Sequence, residues 1–108
     1  MSDMILVYVV CTNALEAKKI AKILLQKKLI ACANILDKIE SLYFWPEGSN
    51  DIEEGKESLL LVKTLKDKYD QINIEIKNIH SYEIPAIFSI NIDKVDLKYF
   101  QWLKNQLK

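Results

Sequence analysis

Two short segments of this sequence are apolar on both faces of an extended chain. The first spans residues 4–11 and the second spans residues 58–62. Successive side chains of a strand point to opposite faces, so a strand with no polar face is covered on both sides. We therefore predict that these two segments form the central strands of one sheet.

Two further extended segments have the features of edge strands. Residues 30–45 are interrupted by charged side chains such as Asp37 and Glu40, which suit an exposed edge. Residues 84–92 alternate apolar and polar side chains, and Pro85 has no amide hydrogen to donate within a sheet. The predicted strand order across the sheet is therefore 4-1-3-2.

Three segments show apolar residues at helical steps of three and four. Asn13 followed by Glu16 forms a capping-box pattern that predicts a helix over about residues 14–27. A second helix is expected to end near His80, and a third to begin after Asp96.

The order βαββαβ with a C-terminal helix predicts an α+β, ferredoxin-like fold. A length of 108 residues suits a single domain spanning residues 1–108.

Residues 46–55 contain both glycines and one of the two prolines, and they predict a long polar hairpin loop. Tyr43, Phe44 and Trp45 precede this loop, beyond the reach of the predicted helices. Burying three aromatic rings contributes on the order of 10 kcal/mol before the entropy of ordering is subtracted. We expect a closed ring of copies to cover these rings, the alternative being that they pack against their own domain.

The formal net charge is zero, since the sequence contains 15 lysines, 15 acidic residues and no arginine. This composition argues against a nucleic-acid partner. The longest uncharged stretch, residues 4–15, is shorter than the roughly 20 residues that span a membrane. No basic segment resembles a secretion signal, so we expect a cytoplasmic protein with reduced cysteines and no membrane partner.

Cys11 and His80 are predicted to meet at one rim of the sheet, because neighbouring strands 1 and 4 place them there. A thiolate and an imidazole suit copper or zinc. Glu16 and Glu83 are expected at the same rim as further donors, whereas Cys32 begins strand 2 at the opposite rim. The alternative for His80 is a structural role at the end of a helix.

The sequence argues against an enzyme. It lacks a glycine-rich phosphate loop, and no motif supplies an oxyanion hole for a Cys-His nucleophile. A nucleophilic Cys11 or Cys32 therefore ranks below the non-catalytic hypotheses. Lys63, near a predicted helix start, is a candidate for binding a small anion.

Five blocks of the sequence resemble the divalent-cation tolerance (CutA) family. They are residues 31–35, 41–45, 57–64, 80–85 and 99–102. The resemblance implies a small homotrimer, similar in fold to the PII signalling proteins, with a link to copper and other divalent metals and no established catalysis. The family's proposed metal positions correspond to Cys11 and His80. This chain differs at Ser81, where the family often has proline.

These observations lead to two functional hypotheses. The first is a trimeric, non-enzymatic metal-response protein that binds copper or a similar cation through Cys11 and His80, without an organic cofactor. The second is a PII-like trimeric module whose subunit clefts bind a small ligand or a partner protein. The candidate binding residues are Cys32, Trp45, Lys63, Tyr82, Glu83 and Trp102.

Overall fold

The computed structural model describes residues 2–108, and its elements follow the predicted order. A short 3₁₀ turn at Lys66–Lys68 precedes the second helix. The strands and helices are β1 (Met4–Cys11), α1 (Ala14–Gln26), β2 (Cys32–Phe44), β3 (Ile52–Leu65), α2 (Tyr69–Ile79), β4 (Ile87–Asn91) and α3 (Leu97–Gln106).

The four strands form one antiparallel sheet in the order β2-β3-β1-β4. Along β1, Met4 pairs with Leu65 of β3 and Cys11 pairs with Ser58. The two strands with apolar faces are therefore central, and the predicted ferredoxin-like order is confirmed.

Two helices cover one face of the sheet. Val7 and Val9 of β1 and Leu60 and Val62 of β3 lie on this face, and all four are fully buried. The helical residues packed in the same core are Ala17, Ile20, Ala21 and Leu24 of α1 and Ile72 and Ile76 of α2. This apolar layer fixes the ends of α1 and α2 relative to the end of β1.

The opposite face of the sheet is covered at one end only. There α3 packs through Leu103, with Met4 and Ala31 in the same cluster. Beyond this cluster, strand pairing places Leu36, Tyr8, Phe88 and Ile90 on the uncovered part of that face, which we call the open face. Phe88 and Ile90 are each 45% exposed, and Phe88 stacks on Tyr8 with ring centroids 4.6 Å apart.

The β2–β3 hairpin is longer than the sequence predicted. Its strands pair out to Phe44 and Ile52, so the predicted loop over 46–55 is wrong for residues 52–55. A two-stranded segment in solvent needs no apolar run, because its polar side chains remain hydrated while its backbone groups pair. We call the part that extends beyond β1, from the pair Ile39–Glu57 to the pair Phe44–Ile52, the ribbon.

The aromatic residues of the ribbon divide between its two faces. Phe44 shares one face with Leu42 and Ile52, and all three are at least 60% exposed. Tyr43 lies on the other face, which turns toward the loop before β4; together with Trp45 it lines a cavity there. The ribbon thus has an uncovered apolar face and a face that contributes to a cavity.

The start of α1 depends on the predicted cap. The Asn13 side-chain oxygen accepts a hydrogen bond from the Glu16 amide at 2.9 Å, as the capping-box pattern indicates. Asn13→Ala is expected to lower the free energy of unfolding by about 1 kcal/mol, measured by urea denaturation. Asn50→Ala, in the exposed turn of the hairpin, is the control; an equal loss in both variants would contradict the capping role.

Candidate functional site

Three elements bring Cys11, Glu16 and His80 together at one rim of the sheet. Cys11 ends β1, Glu16 lies in the first turn of α1, and His80 caps the C-terminus of α2. One potential ligand atom from each residue lies within 4.8 Å of the other two. The thiol is buried and the other two residues are half-buried, so the rim holds a compact cluster of three potential metal donors.

Both ring nitrogens of His80 make hydrogen bonds to the backbone. The Tyr82 amide donates to Nδ1 at 3.0 Å, so Nδ1 accepts and carries no hydrogen. Nε2 lies 2.7 Å from the Val10 carbonyl oxygen and therefore donates to it. The imidazole is thus a neutral ring with a fixed tautomer, and its side chain is fully buried. A metal ion at Nε2 would require the ring hydrogen to move to Nδ1, so both of these hydrogen bonds would be lost.

The Glu16 carboxylate joins the start of α1 to the loop after α2. Its two oxygens accept from the Thr12 and Ser81 amides, each at 2.9 Å. Burial alone would raise the pKa of Glu16, but the hydrogen bonds from Thr12 and Ser81 outweigh burial and lower it. Glu16 is therefore ionised at neutral pH, in the form that can bind a metal ion.

The lowered pKa of Glu16 predicts an acid-dependent contribution to stability. A carboxylate with a depressed folded-state pKa stabilises the fold above its unfolded value, here about 4.5, and loses that effect as the pH falls through the folded-state pKa. Glu16→Gln should therefore be less stable than the wild type at pH 7, with the difference shrinking in acid. Urea denaturation between pH 2.5 and 7 measures this; a pH-independent difference would contradict it.

The Cys11 thiol is protonated at neutral pH. Burial, together with the negative charges of Glu16 and Glu57, raises its pKa to about 12. Since the thiolate is the reactive nucleophile, this environment argues against Cys11 as a catalytic nucleophile. A bound cation at the thiol would favour the thiolate by its own charge.

Glu83 lies outside the donor cluster, contrary to its expected place as a further donor at the rim. It is exposed and lines a cavity of about 600 Å³ between the ribbon and the loop before β4. We call this the acidic cavity; its carboxylates are Glu53, Glu57 and Glu83, and its aromatic side chains are Tyr43, Trp45 and Tyr82. It therefore contains two of the predicted binding residues besides Glu83, namely Trp45 and Tyr82.

Tyr82 lies between the donor cluster and the acidic cavity. Its hydroxyl donates to the Glu57 carboxylate at 2.5 Å, and its ring centroid is 4.9 Å from that of His80. Burial and the contact with Glu57 raise the pKa of Tyr82 to about 12. Glu53 and Glu57 were not predicted from the sequence, although their spacing of four along β3 places both on one face.

The remaining predicted residues lie around Tyr99, toward the other end of the sheet. Cys32 pairs with Lys63, and its sulfur is 3.4 Å from the Tyr99 hydroxyl. The Lys63 ammonium is 5.9 Å from the centroid of the Tyr99 ring, and Trp102 stacks on the same ring at 5.6 Å. Because Cys11 pairs with Ser58, Cys11 and Cys32 lie apart, as predicted.

The fold and the donor cluster define a small ferredoxin-like protein with a thiol, a carboxylate and an imidazole at one rim of its sheet. The family model described as CutA1 divalent ion tolerance protein matches residues 5–106. The chain belongs to this family.

Known relatives agree with this assignment over nearly the full length. A divalent-cation tolerance protein CutA of Pyrococcus horikoshii is 38% identical over 97% of this chain and 99% of its own. The CutA1 structure from Ehrlichia chaffeensis superposes with a TM-score of 0.92 at 33% identity, covering 100% of this chain and 98% of that one. A structure from Archaeoglobus fulgidus, described as a periplasmic divalent cation tolerance protein, gives 0.91 at 35% identity over 97% and 99%.

Within residues 2–108, no helix is long and apolar enough to cross a membrane.

Proposed function

We propose that this chain is a trimeric, non-enzymatic metal-response protein that holds copper or a similar cation at Cys11, Glu16 and His80. The observation that supports this proposal is the convergence of the three donor atoms within 4.8 Å. Membership of a family named for divalent ion tolerance supports the same function. We place the protein in the cytoplasm, with residues 1–108 as one domain and no organic cofactor.

The chemistry of the three donors suits a soft or borderline cation. A thiolate and an imidazole favour copper or zinc over magnesium or calcium, and three protein donors leave a further coordination position open. Binding would release the Cys11 proton, and coordination at His80 Nε2 would move the ring hydrogen to Nδ1, so the hydrogen bonds with Val10 and with the Tyr82 amide would both be lost. Glu16 is already ionised at neutral pH, so it has no proton to release when a cation binds.

Two uncovered apolar surfaces support assembly with further copies. The open face presents Phe88 and Ile90, and the ribbon presents Phe44 and Ile52. Surfaces of this kind on a small protein mark interaction sites, and repeated contacts between identical chains are stable when they close into a ring. We infer a homotrimer, in which these surfaces are buried between subunits.

X-ray absorption spectroscopy at the copper edge tests the metal site. Protein loaded with one equivalent of Cu(I) per chain and then desalted should retain the metal. The spectrum should show one sulfur together with nitrogen or oxygen ligands. Loss of the copper on desalting, or coordination by sulfur alone, would contradict a site made of Cys11, Glu16 and His80.

A second function is favoured by the acidic cavity. Its volume of about 600 Å³ and its mixed aromatic and carboxylate lining are typical of a small-molecule site. A PII-like sensor that binds a small ligand there would use Trp45, Tyr82 and Glu83. A change in tryptophan fluorescence with an organic ligand, but with neither Cu(I) nor Zn(II), would favour this function over the metal-response function.

A further inference from the structure

We propose that the acidic cavity binds a small organic ammonium ion. This inference rests on the second proposed function and names the chemical class of its ligand. Its recognition residues are Glu53, Glu83, Tyr43 and Trp45, none of which belongs to the donor cluster.

The cavity is built by strand alternation and one loop. Glu53 and Glu57 lie on the same face of β3, and Tyr43 pairs directly with Glu53 across the ribbon. The loop that carries Tyr82 and Glu83 forms the facing wall. The Glu57 carboxylate is already bonded to the Tyr82 hydroxyl, which fixes that wall against β3. Glu53 and Glu83 therefore supply the charges available to a ligand.

The charge of the cavity selects a cation. Its lining includes three carboxylates, and among the described residues that line it none is a lysine or histidine. Val10, Ile84 and Ala86 complete the lining with apolar surface. An anion would be repelled by these carboxylates, and a neutral ligand would gain no Coulomb attraction from them.

The spacing of the carboxylates favours an organic cation over a metal ion. Within residues 2–108, the only group of three donors close enough to share one ion is Cys11, Glu16 and His80. The carboxylate oxygens of Glu53, Glu57 and Glu83 therefore do not converge within 4.8 Å of one another in this structure. Aromatic faces beside separated carboxylates suit an ammonium group with alkyl substituents, because the ring quadrupoles attract the charge while the apolar walls contact the alkyl groups.

Tetraethylammonium is the probe, with the neutral alcohol 3-ethylpentan-3-ol as a control of similar size. In a Trp102→Phe background Trp45 is the only tryptophan, so its fluorescence reports on the cavity. We expect a saturable change with the cation and none with the alcohol. Glu53→Gln and Glu83→Gln should each weaken binding about fivefold. Glu54→Gln, on the opposite face of the ribbon, should leave it unchanged.

Three results with the probe, the alcohol and the control variant would overturn the proposal. They are no saturable response to tetraethylammonium, equal binding of the neutral alcohol, and equal weakening by Glu54→Gln. Displacement of the probe by an equal concentration of Mg²⁺ would also overturn it, because it would identify an inorganic cation site. Cys11→Ser should bind the probe normally, so failure of the metal site and failure of the ammonium site are distinguishable.

Discussion

Replacing Cys11 by serine is expected to weaken Cu(I) binding by at least about a hundredfold. The thiolate is the one soft ligand of the donor cluster, and Cu(I) binds the harder oxygen of serine poorly. Competition against a chromophoric Cu(I) chelator measures the affinity. His80→Ala should also weaken binding, because it removes the imidazole donor.

Cys32→Ser is the matched control, since it removes the other free thiol, which lies toward the opposite end of the sheet. Its Cu(I) affinity should equal that of the wild type. Circular dichroism checks that all three variants are folded. If Cys32→Ser lost copper while Cys11→Ser retained it, the metal site would lie around Tyr99, and the assignment to Cys11 would be wrong.

The double variant Phe88→Glu with Ile90→Glu is expected to dissociate the oligomer. Both side chains lie on the open face, which the proposed trimer buries. An unpaired buried charge costs about 3–5 kcal/mol, so the subunits should associate at least about a hundredfold more weakly. Sedimentation velocity over a range of protein concentrations measures this change.

Leu15→Glu is the control for that experiment. Leu15 is 77% exposed on α1, which covers the opposite side of the sheet from Phe88 and Ile90, so a charge there should not alter association through the open face. Dissociation of the Leu15 variant would place α1 in the interface. Unchanged association of the double variant would show that the open face is not buried between subunits.

The central part of the fold could be predicted because burial determines it. Residues 4–11 are apolar on both faces, so the strand they form has to be buried on both sides. The structure places this strand, β1, between β3 and β4 with the predicted bounds. Pro85 lies just before β4, and the short strand is at an edge, where a missing amide hydrogen is tolerated. Asn13 and Asp96 cap helices as their side-chain chemistry predicts.

The ribbon and the acidic cavity were harder to predict. Residues 52–55 are polar and include Gly55, so they resemble a loop, yet backbone pairing with β2 makes them a strand. The position of Glu83 depends on how the loop after α2 turns, which no periodic pattern specifies. Strand order predicted that Cys11 and His80 share a rim, but the hydrogen bonds at His80 require the three-dimensional path of the backbone.

Multi-angle light scattering of the wild-type protein at micromolar concentration tests most directly the claim that the working unit is a ring of identical chains. We expect a mass three times the 12.6 kDa of a single chain. A folded species with the mass of one chain would contradict it, because the open face and the apolar face of the ribbon would then remain in solvent.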